Sequence, residues 1–109
     1  MRGGWIYILA SQRNGTLYVG VTADLAARIW QHRTDPKGFV KRYSLRLLVH
    51  VEEYSTIDEA IAREKAIKKW NRAWKLRLIE AANPEWEDLY EHLTGVTRLH
   101  WIPAFAGMT

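Results

Sequence analysis

Three groups of residues in this 109-residue sequence have types and spacings that could do chemistry, and each also has a plain structural account. The first is Glu64. In "STIDEAIAREKAIKKW" an apolar stripe recurs with helical period at Ile57, Ala60, Ile61 and Ile67, and Glu64 falls inside it, in line with Asn71. An isolated carboxylate there would be unfavourable, so it should be paired, protonated or metal-bound. It is either an edge glutamate paired with Arg63 or Lys68, or a ligand for a hard divalent cation turned towards a sheet. The second group is Arg28 and His32, four apart and so on one helix face. They suit a guanidinium aimed at a phosphate and an imidazole sharing a proton with a phenol. They equally suit a snorkelling arginine and an exposed histidine at a helix end. The third is Tyr7 and Tyr18, which could orient and deprotonate water. A free phenol titrates near about 10, so it needs a cation, metal or histidine to act as a base at neutral pH. Tyrosine is also simply favoured in strands.

The elements around these residues decide whether they can meet. In "WIYILASQRNGTLYVGVT" two apolar runs flank Asn14-Gly15, the residue pair favoured in a type I′ turn, which predicts a hairpin with strands near 5–11 and 16–21. With Asn14 and Gly15 as the two loop residues, Tyr18 faces Ser11, and Tyr7 and Tyr18 emerge on the same face. A loop with an odd number of residues would separate them. Thr22 is the expected N-cap of a helix running to about Arg33, with Asp24 in its first turn, and "TDPKG" stops it. "RLLVHVEEY" predicts a third strand over 46–54, with Leu47, Val49 and Val51 alternating against Leu48, His50 and Glu52. Ser55 or Thr56 opens the next helix with a capping box. "AWKLRLIEAA" continues that helix or starts another, and Asn83-Pro84 is expected to open a last helix ending near Gly95.

Length and composition predict one domain, over residues 1–94, followed by an irregular appended tail at 95–109 without a function. The chain has no cysteine, so disulfides and thiolate metal sites are excluded. Its longest early apolar run is too short for a secretory or membrane segment, which points to a cytoplasmic protein with no membrane partner. Residues 1–78 hold 15 Lys/Arg against 7 Asp/Glu, whereas residues 79–109 hold 1 against 5. A basic body is the footprint of a polyanionic partner, nucleic acid first. "KKWNRAWK" supplies Lys68, Lys69, Arg72 and Lys75 for phosphate or solvent, with Trp70 and Trp74 assigned to the core. His50, His92 and His100 are read as structural.

Taken in order, "WIY" at 5–7, "YVG" at 18–20, Arg28, His32, Glu64 and Asn83 resemble the GIY-YIG nuclease superfamily. The run "REKAIKKWNRAWKLRLIEAANPEWEDL" resembles its small, stand-alone bacterial excision-nuclease-like group, and the likeness covers roughly residues 4–90. Trp5 and Val19 depart from the usual triplets. The resemblance implies an α/β fold of the α+β type, with a three-stranded antiparallel sheet flanked by helices. It implies an endonuclease hydrolysing DNA phosphodiesters with Mg2+ (or Mn2+), with structured repair or recombination intermediates as one class of substrate. By position, Tyr7 and Tyr18 bracket the attacking water, with Tyr7 the base relayed by His32. Arg28 would stabilise the transition state, Glu64 would hold the metal, Gly20 would keep the backbone close, and Asn83 would take a positioning role. The rival class is a nucleic-acid-binding module of the same fold with little or no turnover; RNA as substrate and a protein partner stay open.

Overall fold

The computed structural model describes residues 3–91. The apolar run Gly4–Ala10 forms β1, the middle strand of an antiparallel sheet of order β2-β1-β3, with β2 at Leu17–Thr22 and β3 at Leu47–Tyr54. The hairpin is present, but its loop is longer than two residues. Tyr18 pairs with Leu9 and Leu17 with Ala10, and the Ser11 and Gly15 amides donate to the Thr16 and Gln12 carbonyls. Asn14 takes a positive φ of 60° and Gly15 does not. Tyr18 therefore faces Leu9 rather than Ser11. The shift is an even number of residues, so strand alternation leaves both tyrosines on one face.

Helix α1, Leu25–Thr34, is capped by Asp24, whose carboxylate accepts from the Ala27 amide. Thr22, the expected cap, instead supports Asp24 by accepting from its amide. A short helix the sequence did not announce, α2 at Gly38–Arg42, starts at the left-handed Gly38 and is followed by a left-handed Ser44. Helix α3, Ile57–Lys69, has the expected capping box, built from Thr56 and Glu59. It stops at Trp70, and Asn71 caps a separate α4 at Arg72–Ala82. Asn83 closes α4 as its C-cap, and Pro84 lies in a turn, so no helix starts there. Asn-Pro reads locally as a helix start, but here the asparagine amide is claimed by tertiary partners described below.

The sheet separates two apolar layers. On one side Tyr7, Leu9, Leu48 and Val51 pack against Leu25 and Ile29 of α1, Val40 of α2, and Leu89. On the other, Ile6, Ile8, Val19 and Val49 pack against Ala60 and Ile67 of α3, Ile79 of α4, and Trp86. Gly4 admits α3 closely: a Cβ there would lie 2.8 Å from the Ala60 methyl. The simple alternation expected for β3 fails at one point. Ile8 pairs with His50 and Leu9 with Leu48, so Val49 is the extra residue of a β-bulge, and Leu48 joins the same face as Val51. Among the described residues no helix is long and apolar enough to cross a membrane. His92, His100 and the assigned tail lie outside the described residues.

Candidate active site

The α1 side of the sheet brings four of the candidate residues together. Tyr7 is fully buried on the central strand, and its hydroxyl lies 2.9 Å from His32 Nε2 on α1. The Tyr18 ring is 6.3 Å from that of Tyr7 and 6.0 Å from the imidazole, so the three rings form a triangle. Helix spacing places Arg28 one turn before His32, where its positive charge acts on both Tyr7 and His32. Burial, and secondarily the Tyr18 phenol, push Tyr7 up to about 12, with Arg28 opposing. Burial and then the Arg28 charge pull His32 below its usual value. At neutral pH the pair is thus a neutral phenol donating to a neutral imidazole. Such a pair can pass a proton from the phenol to the imidazole without forming a free phenolate.

Gly20 has a more specific role than close backbone approach. It pairs with Tyr7 across the ladder, and the tyrosine ring lies over it. A Cβ at residue 20 would sit 2.3 Å from Tyr7 Cζ and 2.4 Å from its hydroxyl oxygen. The absence of a side chain gives the phenol its place.

Glu64 is 13% exposed, and its carboxylate meets Lys68 Nζ at 2.6 Å. The same ammonium lies 6.0 Å from the centre of the Tyr18 ring, so the carboxylate and the ring approach one lysine. A single half-buried carboxylate fits Mg2+, which retains water and substrate phosphate as most of its ligands. No cluster of three or more His, Asp or Glu forms a dedicated metal cage among the described residues. Lys68 is half exposed and can exchange the carboxylate for a phosphate. Of the other predicted cations, Lys69 is exposed and Lys75 is half-buried. Arg72 is committed to the hairpin: one of its nitrogens donates to the Asn14 and Gly15 carbonyls at 2.6 and 2.7 Å. Trp70 is half-buried, but Trp74, assigned to the core by its spacing, is exposed.

Asn83 lies apart from this group. Its amide donates to the Val49 carbonyl at 3.1 Å and to the Glu87 carbonyl at 2.9 Å, and its oxygen accepts from the Glu87 amide. It ties the chain after α4 to the bulge of β3, which is a positioning function for the fold.

Sequence reasoning missed a second polar cluster, on the α3 side of the sheet. Glu52 is 1% exposed and accepts from His50 Nε2 at 2.8 Å, from the Tyr54 hydroxyl at 2.6 Å, and from Arg63 twice, at 2.9 and 3.2 Å. Burial opposes ionisation of Glu52, but the bonds from His50, Arg63 and Tyr54 outweigh it and hold the carboxyl down to about 2. The signal was present: His50, Glu52 and Tyr54 alternate along one strand and so share a face, and an arginine follows on the next helix.

Comparison with known proteins places the chain in a family and a fold. Residues 3–77 match the GIY-YIG catalytic domain. A UPF0213 protein of Desulfotalea psychrophila is 33% identical over 91 residues, covering 82% of this chain and 83% of its own. One from Syntrophus aciditrophicus is 37% identical over 87 residues, covering 78% of this chain and 98% of its own. The solution structure of a UPF0213 protein from Bacillus halodurans superposes with a TM-score of 0.50 at 25% identity, covering 82% of this chain and 95% of that one. The three-stranded antiparallel sheet between helices, the matched catalytic domain and these relatives agree. The chain belongs to the GIY-YIG family of nuclease domains, alongside its UPF0213 proteins.

Proposed function

We propose that this chain is a metal-dependent endonuclease that hydrolyses phosphodiester bonds in DNA. The observation that carries the proposal is the buried Tyr7 hydroxyl bonded to His32 Nε2, with Arg28 one helical turn away. Water held between Tyr7 and Tyr18 attacks phosphorus; the new P–O bond forms as the bond to the 3′ oxygen breaks. The water proton passes to the Tyr7 oxygen while the Tyr7 proton passes to the neutral imidazole of His32. No phenolate is required, which suits a phenol raised to about 12. Arg28 donates to the non-bridging oxygens as their charge grows. Glu64 would hold Mg2+, or Mn2+ in its place, which when bound neutralises the phosphate and stabilises the leaving oxygen. Lys68 and Lys69, with Lys75 and the remaining donors of Arg72, supply positive charge for the DNA backbone.

The test is cleavage of linear, nicked, flapped and branched DNAs with Mg2+, Mn2+ or EDTA. Wild type should cut at least one of them with metal and none in EDTA. Arg28→Ala and Glu64→Ala should each lower the rate by about a hundred-fold or more while thermal unfolding stays cooperative. Metal-dependent cutting that survives Glu64→Ala removes the metal assignment. Binding by wild type without any cutting makes the domain a binding module.

A further inference from the structure

We propose that Phe39 and Tyr43 form a stacking site for one unpaired nucleobase of the substrate, next to the position of the scissile phosphate. The inference rests on reading the α1 side as the face that meets DNA, and it adds the form of the strand that fits there. Tyr43 caps the C-terminus of α2 four residues after Phe39, its amide donating to the Phe39 carbonyl, so the two side chains lie one turn apart. They are 46% and 40% exposed, with ring centres 4.6 Å apart. Exposed aromatic side chains are ordinary when scattered. These two extend a row: Phe39 lies 6.2 Å from Tyr18, which lies 6.3 Å from Tyr7. Aromatic rings thus run from the buried proton relay out to solvent.

The surroundings of the row fit a nucleotide. The Arg42 guanidinium lies 5.6 Å from the Tyr43 ring, and Lys37 and Lys41 are exposed on the same short segment. Cations beside exposed rings provide phosphate contacts and stacking together. The platform is also held in place. Val40 and Leu45 are buried beneath it, and Gly38 and Ser44 bound it in left-handed backbone with φ of 55° and 54°. A paired base inside a duplex already has both faces covered by its neighbours. Only a base outside the stack, as in a single strand, flap or gap, can lie on Phe39 and Tyr43.

The experiment measures binding in EDTA, so that no strand is cut. Fluorescence anisotropy follows a single-stranded oligonucleotide of about 12 nucleotides, within the span such sites cover, and a dumbbell duplex of the same sequence closed at both ends by non-nucleotide linkers, so that every base is paired. Phe39→Ala and Tyr43→Ala should each weaken single-strand binding by about ten-fold, the lower range of the loss for one stacked base. Dumbbell binding should be unchanged in both, and Tyr43→Phe should keep wild-type affinity. Trp74→Ala, an exposed aromatic on α4 outside the row, should leave single-strand affinity unaltered. Alanine variants that bind the single strand as wild type does, or lose the same factor on the dumbbell, overturn the site. So does failure of wild type to bind the single strand, or a dimer in sedimentation that Phe39→Ala dissociates. Ring-dependent binding without metal-dependent cutting removes the nuclease proposal and keeps this one; cutting with ring-independent binding does the reverse.

Discussion

On the α1 side of the sheet a tyrosine, a histidine and an arginine gather as Tyr7, His32 and Arg28; on the α3 side the same three residue types gather as Tyr54, His50 and Arg63. The difference is Glu52. On the α3 side every donor converges on that one carboxylate, which accepts four hydrogen bonds. The Glu52 carboxylate is paired with the Arg63 guanidinium inside the protein, and all four of these bonds are made without a ligand. On the α1 side the tyrosine bonds a histidine instead, and among the described residues the nearby Arg28 makes no ion pair with a carboxylate. Both phenols are raised to about 12, first by burial; for Tyr54 the next contribution is its bond to Glu52, whereas Tyr7 feels Tyr18 and the opposing Arg28. One value therefore describes two different states. Tyr54 is closed by its acceptor, and Tyr7 is poised beside a charge that calls for an anion.

Removing the same atom from each face separates them most sharply. Tyr7→Phe should lower cleavage by about 10²- to 10⁴-fold, the usual range for a general acid–base group, with little change in unfolding midpoint. Tyr54→Phe should leave the cleavage rate in place and lower stability by about 1.5–3 kcal/mol, because a bond to a buried charge is lost. Denaturant unfolding and single-turnover kinetics on the two variants check both halves, and exchanged outcomes would mean the faces have been assigned the wrong way round.

Acid should then distinguish the faces by order of loss. In the proposed mechanism His32 is neutral when it accepts the Tyr7 proton, and its folded value lies below the ordinary one of about 6.5, so activity should hold through that value and fall only at lower pH. Glu52 has a folded value of about 2 against an ordinary 4.5. A depressed carboxyl contributes stability above its unfolded value and loses it as pH falls through the folded one, so about 3 kcal/mol should disappear between those two values. Rate profiles and urea midpoints against pH would show turnover failing before the fold. Glu52→Gln should flatten the stability curve and leave the acid limb of the rate untouched.

The smallest expected effect concerns how the phenol is seated. Gly20→Ala should destabilise by about 1–3 kcal/mol, since its methyl enters the Tyr7 ring and overpacks the layer. Adding Tyr7→Ala should make the second substitution less harmful than it is alone, a coupling visible in a double-mutant cycle. Strict additivity would show that residue 20 does not place the ring.

Much of this was legible because it depends on spacing. Tyr7 and Tyr18 share a face for any loop with an even number of residues, so the expectation survived a register two residues away from the one inferred. Arg28 and His32 needed only helical period. The third strand and the α3 capping box were likewise local patterns. What escaped was decided across the fold. Glu64 could be read as paired or metal-bound, and it has the lysine partner that the local account named. Val49 became a bulge and spoiled the alternation of β3, which no propensity at that position announces. Asn83 carried a helix-start pattern, yet its amide is taken by Val49 and Glu87. The Glu52 cluster needed a contact between β3 and α3, and α2 is a five-residue helix held by burial of Val40 more than by any periodic signal.

The clasp at Asn83 bears on how portable such a domain is. The recognisable catalytic pattern ends at residue 77, yet Ile79, Asn83, Trp86 and Leu89 beyond it are buried, and the Leu89 amide bonds the Leu48 carbonyl along the outer edge of β3. The stretch that a pattern detects is therefore shorter than the stretch that must travel together when the unit is moved between proteins. In this chain the segment after α4 covers one strand edge through the Leu89 amide and satisfies the carbonyl of the bulged Val49 through Asn83.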